Sequence, residues 1–126
     1  MLNPDDTKPI YIQIGEWLET EILSGHIEVD EKMYSQYQLA DMFNINPATA
    51  AKGLNLLADA NIVYKKRGLG MFVSSEAKAL IIDKRKSQTL GKLVKEIVKE
   101  ANYLNVSEEE LVEMVRVEMR EKGDSR

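Results

Sequence analysis

Residues 35–73 read SQYQLADMFNINPATAAKGLNLLADANIVYKKRGLGMFV, and they parse into helix, turn, helix and then a strand–turn–strand hairpin. Ser35 is a side-chain N-cap, its hydroxyl placed to accept a bond from a free N–H of the first turn. Leu39, Ala40, Met42 and Phe43 give a short apolar face of about two turns. Asn44-Ile45-Asn46 breaks that pattern, and Asn46-Pro47 restarts it with a cap followed by proline at the first helical position. Ala50, Gly53, Leu54, Leu57 and Ala58 then recur at spacings of three and four, so one face is buried. Ala48, Lys52 and Asn55 lie opposite, with Thr49 at the boundary. A short helix, a tight turn and a second helix with a small, polar outer face make a helix-turn-helix.

The hairpin completes the unit. Ile62-Val63-Tyr64 and Met71-Phe72-Val73 are β-prone runs around Lys65-Lys66-Arg67-Gly68-Leu69-Gly70. Three cations at a turn tip, followed by two glycines that permit positive φ, describe an exposed basic wing.

These residues resemble the GntR family of bacterial transcription regulators. The family pattern stands here as Gly25, Met33, Ser35, Leu39-Ala40, Thr49, Leu54, Leu57, Ile62 and Gly68-Leu69-Gly70-Met71-Phe72-Val73. INPATAAKGLNLL, YKKRGLGMFV and the opening PIYIQI are most similar to the small YtrA-type subgroup. The resemblance is strong from Pro9 to Val73 and rests beyond that on length and amphipathic pattern. The family's P-G-x-x-L-P-S is replaced by Val29-Asp30-Glu31-Lys32-Met33-Tyr34-Ser35, and Pro47 and Ala51 stand where many members carry arginine. The base contacts of those arginines are therefore not carried over.

Composition sets the outer bounds. A chain of 126 residues with 44% hydrophobic and 30% charged residues suits one compact domain with a short appendage. No apolar run approaches the roughly 18 residues of a membrane helix, and no signal-peptide layout opens the chain. The absence of cysteine excludes disulfides and thiolate metal sites and is compatible with a cytoplasmic protein. Net charge is −4, but its distribution is uneven. Residues 1–31 hold eight acids against Lys8, residues 32–73 hold five cations against two acids, and residues 74–126 hold eleven of each. Positive charge thus collects on the reading surface expected of a nucleic-acid binder.

Around this centre the chain is simpler. Met1 to Thr7 is a polar lead-in with little structure of its own. Asp6 or Thr7 caps a first helix with Pro9 in its first turn, and Ile10, Ile14, Trp17, Leu18 and Ile22 form its core stripe up to Gly25. Trp17 is expected in the core. Tyr11 and Tyr37 are within reach of a phosphate oxygen. His26, the one histidine, reads as a surface residue and not as a metal ligand. No catalytic set assembles, Gly68-x-Gly70 lacks the ending of a P-loop, and no metal, cofactor or enzymatic activity is expected. Lys84-Arg85-Lys86 is a solvated helix face, with phosphate contact beside the wing as the sharper reading. Leu90, Leu93, Val94, Ile97, Val98, Ala101 and Leu104 make a long amphipathic helix. Ser107-Glu108-Glu109-Glu110 opens another with a capping box, presenting Leu111, Met114, Val115 and Met119, and Gly123 onward should fray.

The expected architecture is mainly α with a small β-hairpin. A winged helix-turn-helix DNA-binding domain spans 1–75 and a C-terminal helical dimerisation segment spans 76–126. Leu90, Leu93, Val94, Ile97, Val98, Leu104, Leu111, Met114 and Val115 are the candidate dimerisation residues. The resemblance implies a small dimeric repressor on an inverted-repeat DNA operator, with any small-molecule effector unnamed. Asn46, Pro47, Ala48 and Thr49 would enter the major groove with the helix N-terminus, Thr49 matching the family's DNA-contacting threonine. Lys52 and Asn55 would read bases or phosphate, and Ser35, Gln36 and Gln38 would hold the DNA backbone. Lys65, Lys66 and Arg67 would meet flanking phosphate or the minor groove, with Gly68 and Gly70 allowing close approach. The competing reading is a winged helix that docks on a protein or on structured RNA.

Overall fold

A computed structural model describes residues 2–124 of the chain. Its elements are α1 (Ile10–Leu23), α2 (Gln36–Phe43), α3 (Pro47–Asp59), β1 (Val63–Lys66), β2 (Gly70–Val73) and α4 (Ala77–Lys84). A π-helical turn (Arg85–Leu90), α5 (Gly91–Tyr103) and α6 (Glu108–Asp124) follow. The mainly helical fold with one antiparallel hairpin is the architecture expected from the periodicities. The chain divides into two compact units, the first ending at Lys84 and the second beginning at Arg85. α4 lies beyond residue 75 yet belongs with the first unit, because Ala77 and Ile81 are fully buried in its core.

That core draws on every element of the first unit. Ile14, Leu18 and Ile22 of α1 meet Leu39 of α2, Leu54 and Leu57 of α3, and Ile62, Val63 and Val73 of the hairpin. Trp17 packs against this cluster, edge-on to Phe43 at 4.9 Å and tilted against Tyr34 at 5.9 Å between ring centroids. It joins α1 to the helix-turn-helix as its place on the stripe required. Met33 is buried too, and its backbone N–H donates to Met71 O at 2.7 Å. With the isolated Lys32–Phe72 bridge, this ties the segment before α2 to the free edge of β2. Glu19 on α1 is buried as well, and Lys84 of α4 donates to its carboxylate, so the charge is not left unpaired in the core.

Three details differ from expectation. Neither Asp6 nor Thr7 caps α1, whose N-cap is Pro9 with no side-chain bond, so the proline precedes the first turn. The lead-in is held by Gln13, which accepts from Asn3 N–H at 2.7 Å and donates to the Asn3 and Lys8 carbonyls at 3.0 Å. And α6 continues through Gly123 to Asp124. Met1, in the expected lead-in, and Ser125 and Arg126, in the tail that the sequence expects to fray, lie outside the described residues.

In the second unit, α5 ends where Asn105 takes a left-handed φ of 56° and Val106 N–H donates to Ala101 O. Ser107 Oγ then accepts from Glu110 N–H at 3.1 Å and caps α6. Ala101 is buried, but Leu93, Val94, Ile97 and Val98 remain 44–50% exposed. Leu90, Leu104, Met114 and Val115 are exposed as well, and Leu111 is half-buried.

Candidate nucleic-acid interface

The surface begins at the start of α2. Ser35 Oγ accepts from Gln38 N–H at 3.1 Å, and Gln38 Oε1 accepts from Ser35 N–H at 2.8 Å, a reciprocal capping box. Those bonds use acceptors only. The Ser35 hydroxyl hydrogen and the Gln38 amide hydrogens remain available to an anion. Asn44 closes α2 in the left-handed region, at φ 53° and ψ 54°, which turns the chain sharply into α3. Asn46 Oδ1 accepts from Ala48 N–H at 2.8 Å, and Pro47 occupies the first turn, as the Asn-Pro pair predicts.

α3 is seated on α1 at very close range. A Cβ added to Gly53 would stand 2.7 Å from Ile14 Cγ2 and 3.0 Å from Tyr11 O. Ala50, Gly53, Leu54 and Leu57 face inward, and Ala48, Lys52 and Asn55 are exposed on the opposite side, with Thr49 half-buried between them. Lys52 Nζ rests 4.8 Å from the centre of the Tyr11 ring.

The wing is tighter than expected. The register pairs Val63 with Val73, Tyr64 with Phe72, Lys65 with Met71 and Lys66 with Gly70. Lys65 and Lys66 are therefore strand residues, and of the three cations only Arg67 lies in the turn with Gly68 and Leu69. Leu69 N–H donates to Lys66 O at 2.9 Å, and Gly68 at φ 76° supplies the positive angle this turn requires. Alternation along β1 then separates the two lysines by face. Lys66 shares a face with Tyr64, and its ammonium lies 4.6 Å from the Phe72 ring centre and 5.8 Å from that of Tyr64. The two rings are stacked at 6.0 Å. Tyr64 OH donates to Asp30 Oδ1 at 2.7 Å, and that bond, with some burial and the neighbouring negative charge, raises the phenol above its ordinary value.

Lys32, which no local pattern singles out, borders the same surface. Its Cε lies 3.0 Å from where a Gly70 Cβ would stand, and Gly70 itself has φ 108°. Lys32, Ser35, Gln36, Tyr37 and Gly70 together line a cleft of about 200 Å³ between the wing and the start of α2. The signal was the charge of residues 32–73, to which Lys32 contributes, but its bridge to Phe72 is a tertiary pairing invisible to local pattern. The structure thus gathers the candidate residues of α2, α3 and the wing in one unit, while Lys84 and Arg85 are engaged in contacts of their own. His26 is exposed, with Nδ1 2.5 Å from Glu21 Oε2. Among the described residues no group of three acidic or histidine side chains could hold a metal, and no helix is long and apolar enough to cross a membrane.

The family model for bacterial regulatory proteins of the gntR family matches residues 10–73, from the start of α1 to the end of β2. The chain is 28% identical over 115 residues to the HTH-type transcriptional repressor YtrA of Bacillus subtilis, covering 91% of this chain and 88% of that one. A GntR family transcriptional regulator from Listeria monocytogenes superposes with a TM-score of 0.71 at 28% identity, covering 89% of this chain and 96% of the other. The structure of AraR(DBD) in complex with operator ORR3 matches with a TM-score of 0.52 at 27% identity, over 59% of this chain and 89% of that one. These relatives are named as regulators or as an operator complex, and none as an enzyme. The match spans the helix-turn-helix and the wing whole, and the chain belongs to the GntR family of bacterial regulatory proteins, a transcriptional regulator built on a winged helix.

Proposed function

We propose that this regulator is a cytoplasmic, homodimeric repressor that binds an inverted-repeat DNA operator. The observation that carries the reading is the outer face of α3, where Ala48, Lys52 and Asn55 are exposed on a helix whose inner face is locked against α1. Thr49 and the N-terminal turn of α3 enter the major groove, where Asn55 suits adenine and Lys52 suits guanine or phosphate. The donors left free by the Ser35–Gln38 capping box, with Gln36, hold the adjacent phosphates. Lys65, Lys66, Arg67 and Lys32 add charge along the wing, and Gly68 and Gly70 let it approach the backbone. AraR(DBD), a domain that shares this fold, is solved in complex with an operator, which supports duplex DNA as the ligand.

The second unit supplies the partner. α5 and α6 leave Leu93, Val94, Ile97, Val98, Met114 and Val115 each about half exposed, a set of apolar side chains suited to burial against a second chain. Burying the exposed half of six such side chains is worth on the order of 5–9 kcal/mol before the costs of association. A twofold dimer also presents two recognition helices about 34 Å apart, matching successive major grooves.

The test is selection of fragmented genomic DNA on the purified chain, with a Lys65→Ala, Lys66→Ala, Arg67→Ala variant beside it. A few sites sharing an inverted repeat are expected. The variant should bind them more weakly and with a salt slope reduced by about 0.9 for each lost phosphate contact. Recovery of random fragments only, or of no DNA, overturns the reading.

A further inference from the structure

We propose that Tyr11 of α1 is a positioning residue for the reading face, carrying the Lys52 ammonium on its ring so that α3 meets DNA with that charge already in place. The inference rests on the DNA-binding reading above. The Lys52 Nζ to ring-centre distance of 4.8 Å is within the range of a cation–π contact. The pair is held by the backbone as well as by its own attraction. Gly53, the next residue after Lys52, lies at the tight crossing with α1, where an added Cβ would stand 3.0 Å from the carbonyl oxygen of Tyr11 itself. The main chain at Lys52 is therefore pinned to the main chain at Tyr11. The ring is half-buried and the lysine exposed, so the aromatic group is the anchored member and the cation faces outward.

An aromatic face suits this task better than a carboxylate. It orders the four-carbon side chain without neutralising the charge that the phosphate or guanine must see. A free lysine loses its rotamer freedom on binding, whereas one resting on a ring has lost part of it beforehand. The expected contribution is modest, about two- to five-fold in affinity for an exposed pair.

The experiment is a double-mutant cycle on a selected operator duplex, using Tyr11→Leu, Tyr11→Phe, Lys52→Met and the Tyr11→Leu/Lys52→Met pair in the full chain. Tyr11→Leu should weaken binding by about two- to five-fold in the natural background and change nothing when Lys52 is already methionine. Tyr11→Phe should bind like the unmodified protein, since the ring is kept. An equal loss in both backgrounds, or a loss in Tyr11→Phe matching that in Tyr11→Leu, overturns the proposal in favour of a direct Tyr11 contact. Tighter binding by Tyr11→Leu overturns it in the other direction, with the ring holding the lysine away from DNA. Proton NMR of the unmodified chain gives a reading that does not depend on how the variants fold. The Lys52 ε-methylene should be ring-current shifted, and an unshifted resonance removes the contact. Absence of specific duplex binding by the unmodified protein would remove this role together with the reading beneath it.

Discussion

Tyr64 shows how a single side chain fixes the shape of the wing. Its hydroxyl donates to Asp30, its ring stacks on Phe72, and Lys66 lies across both rings. Only the neutral phenol can donate, so the raised pKa has a definite sign. The stabilisation from this bond is fully present below the unfolded value of about 10.0 and is lost as pH rises through the higher folded value. Tyrosinate absorbance should show a late-titrating step in the native protein that Tyr64→Phe removes. If the late step survives the substitution, the Asp30 bond is not its cause. None of this was legible in the run of β-prone residues. Asp30 lies 34 residues from Tyr64, and its φ of 66° is a property of the loop and not of any periodic pattern. The N-caps at Ser35 and Asn46 were legible, because a cap is satisfied by backbone two or three residues away.

At the level of elements, the crossing of α1 and α3 decides where the outer face of α3 points. Glycine in a helix interior costs roughly 1 kcal/mol relative to alanine, so on an open helix Gly53→Ala would stabilise. Here the added methyl meets Ile14 Cγ2 at 2.7 Å and the Tyr11 carbonyl oxygen at 3.0 Å, and backbone cannot step aside cheaply. Gly53→Ala should therefore lower stability by about 1–2 kcal/mol net in urea denaturation, overpacking outweighing propensity. Gly15→Ala, whose nearest neighbours are flexible leucine ends at 3.4 and 3.6 Å, should be much milder. A gain in stability for Gly53→Ala would mean that the helices can separate at this point. Periodicity placed α2, α3 and both strands, because each element repeats its own pattern. It missed the strand ends, since pairing of Lys66 with Gly70 depends on the ladder across the turn. It also did not show α4 packing in the first core, because Ala77 and Ile81 are buried by residues far away in sequence.

For the whole molecule, the division of labour follows from where surface is left unsatisfied. The first unit closes its core and exposes polar and basic groups. The second unit leaves apolar side chains of α5 and α6 exposed, at positions that recur with the amphipathic spacing of the sequence. On the proposed reading these two surfaces serve one act, two chains on two half-sites. The most direct measurement is sedimentation of the full chain titrated into a duplex carrying the selected inverted repeat, at physiological salt, with a scrambled duplex and an Ile97→Asp variant in parallel. Two chains per duplex are expected, with binding to the scrambled sequence weaker by roughly a thousand-fold or more and a monomeric variant that has lost tight binding. One chain per duplex, or equal affinity for the scrambled sequence, would contradict that reading.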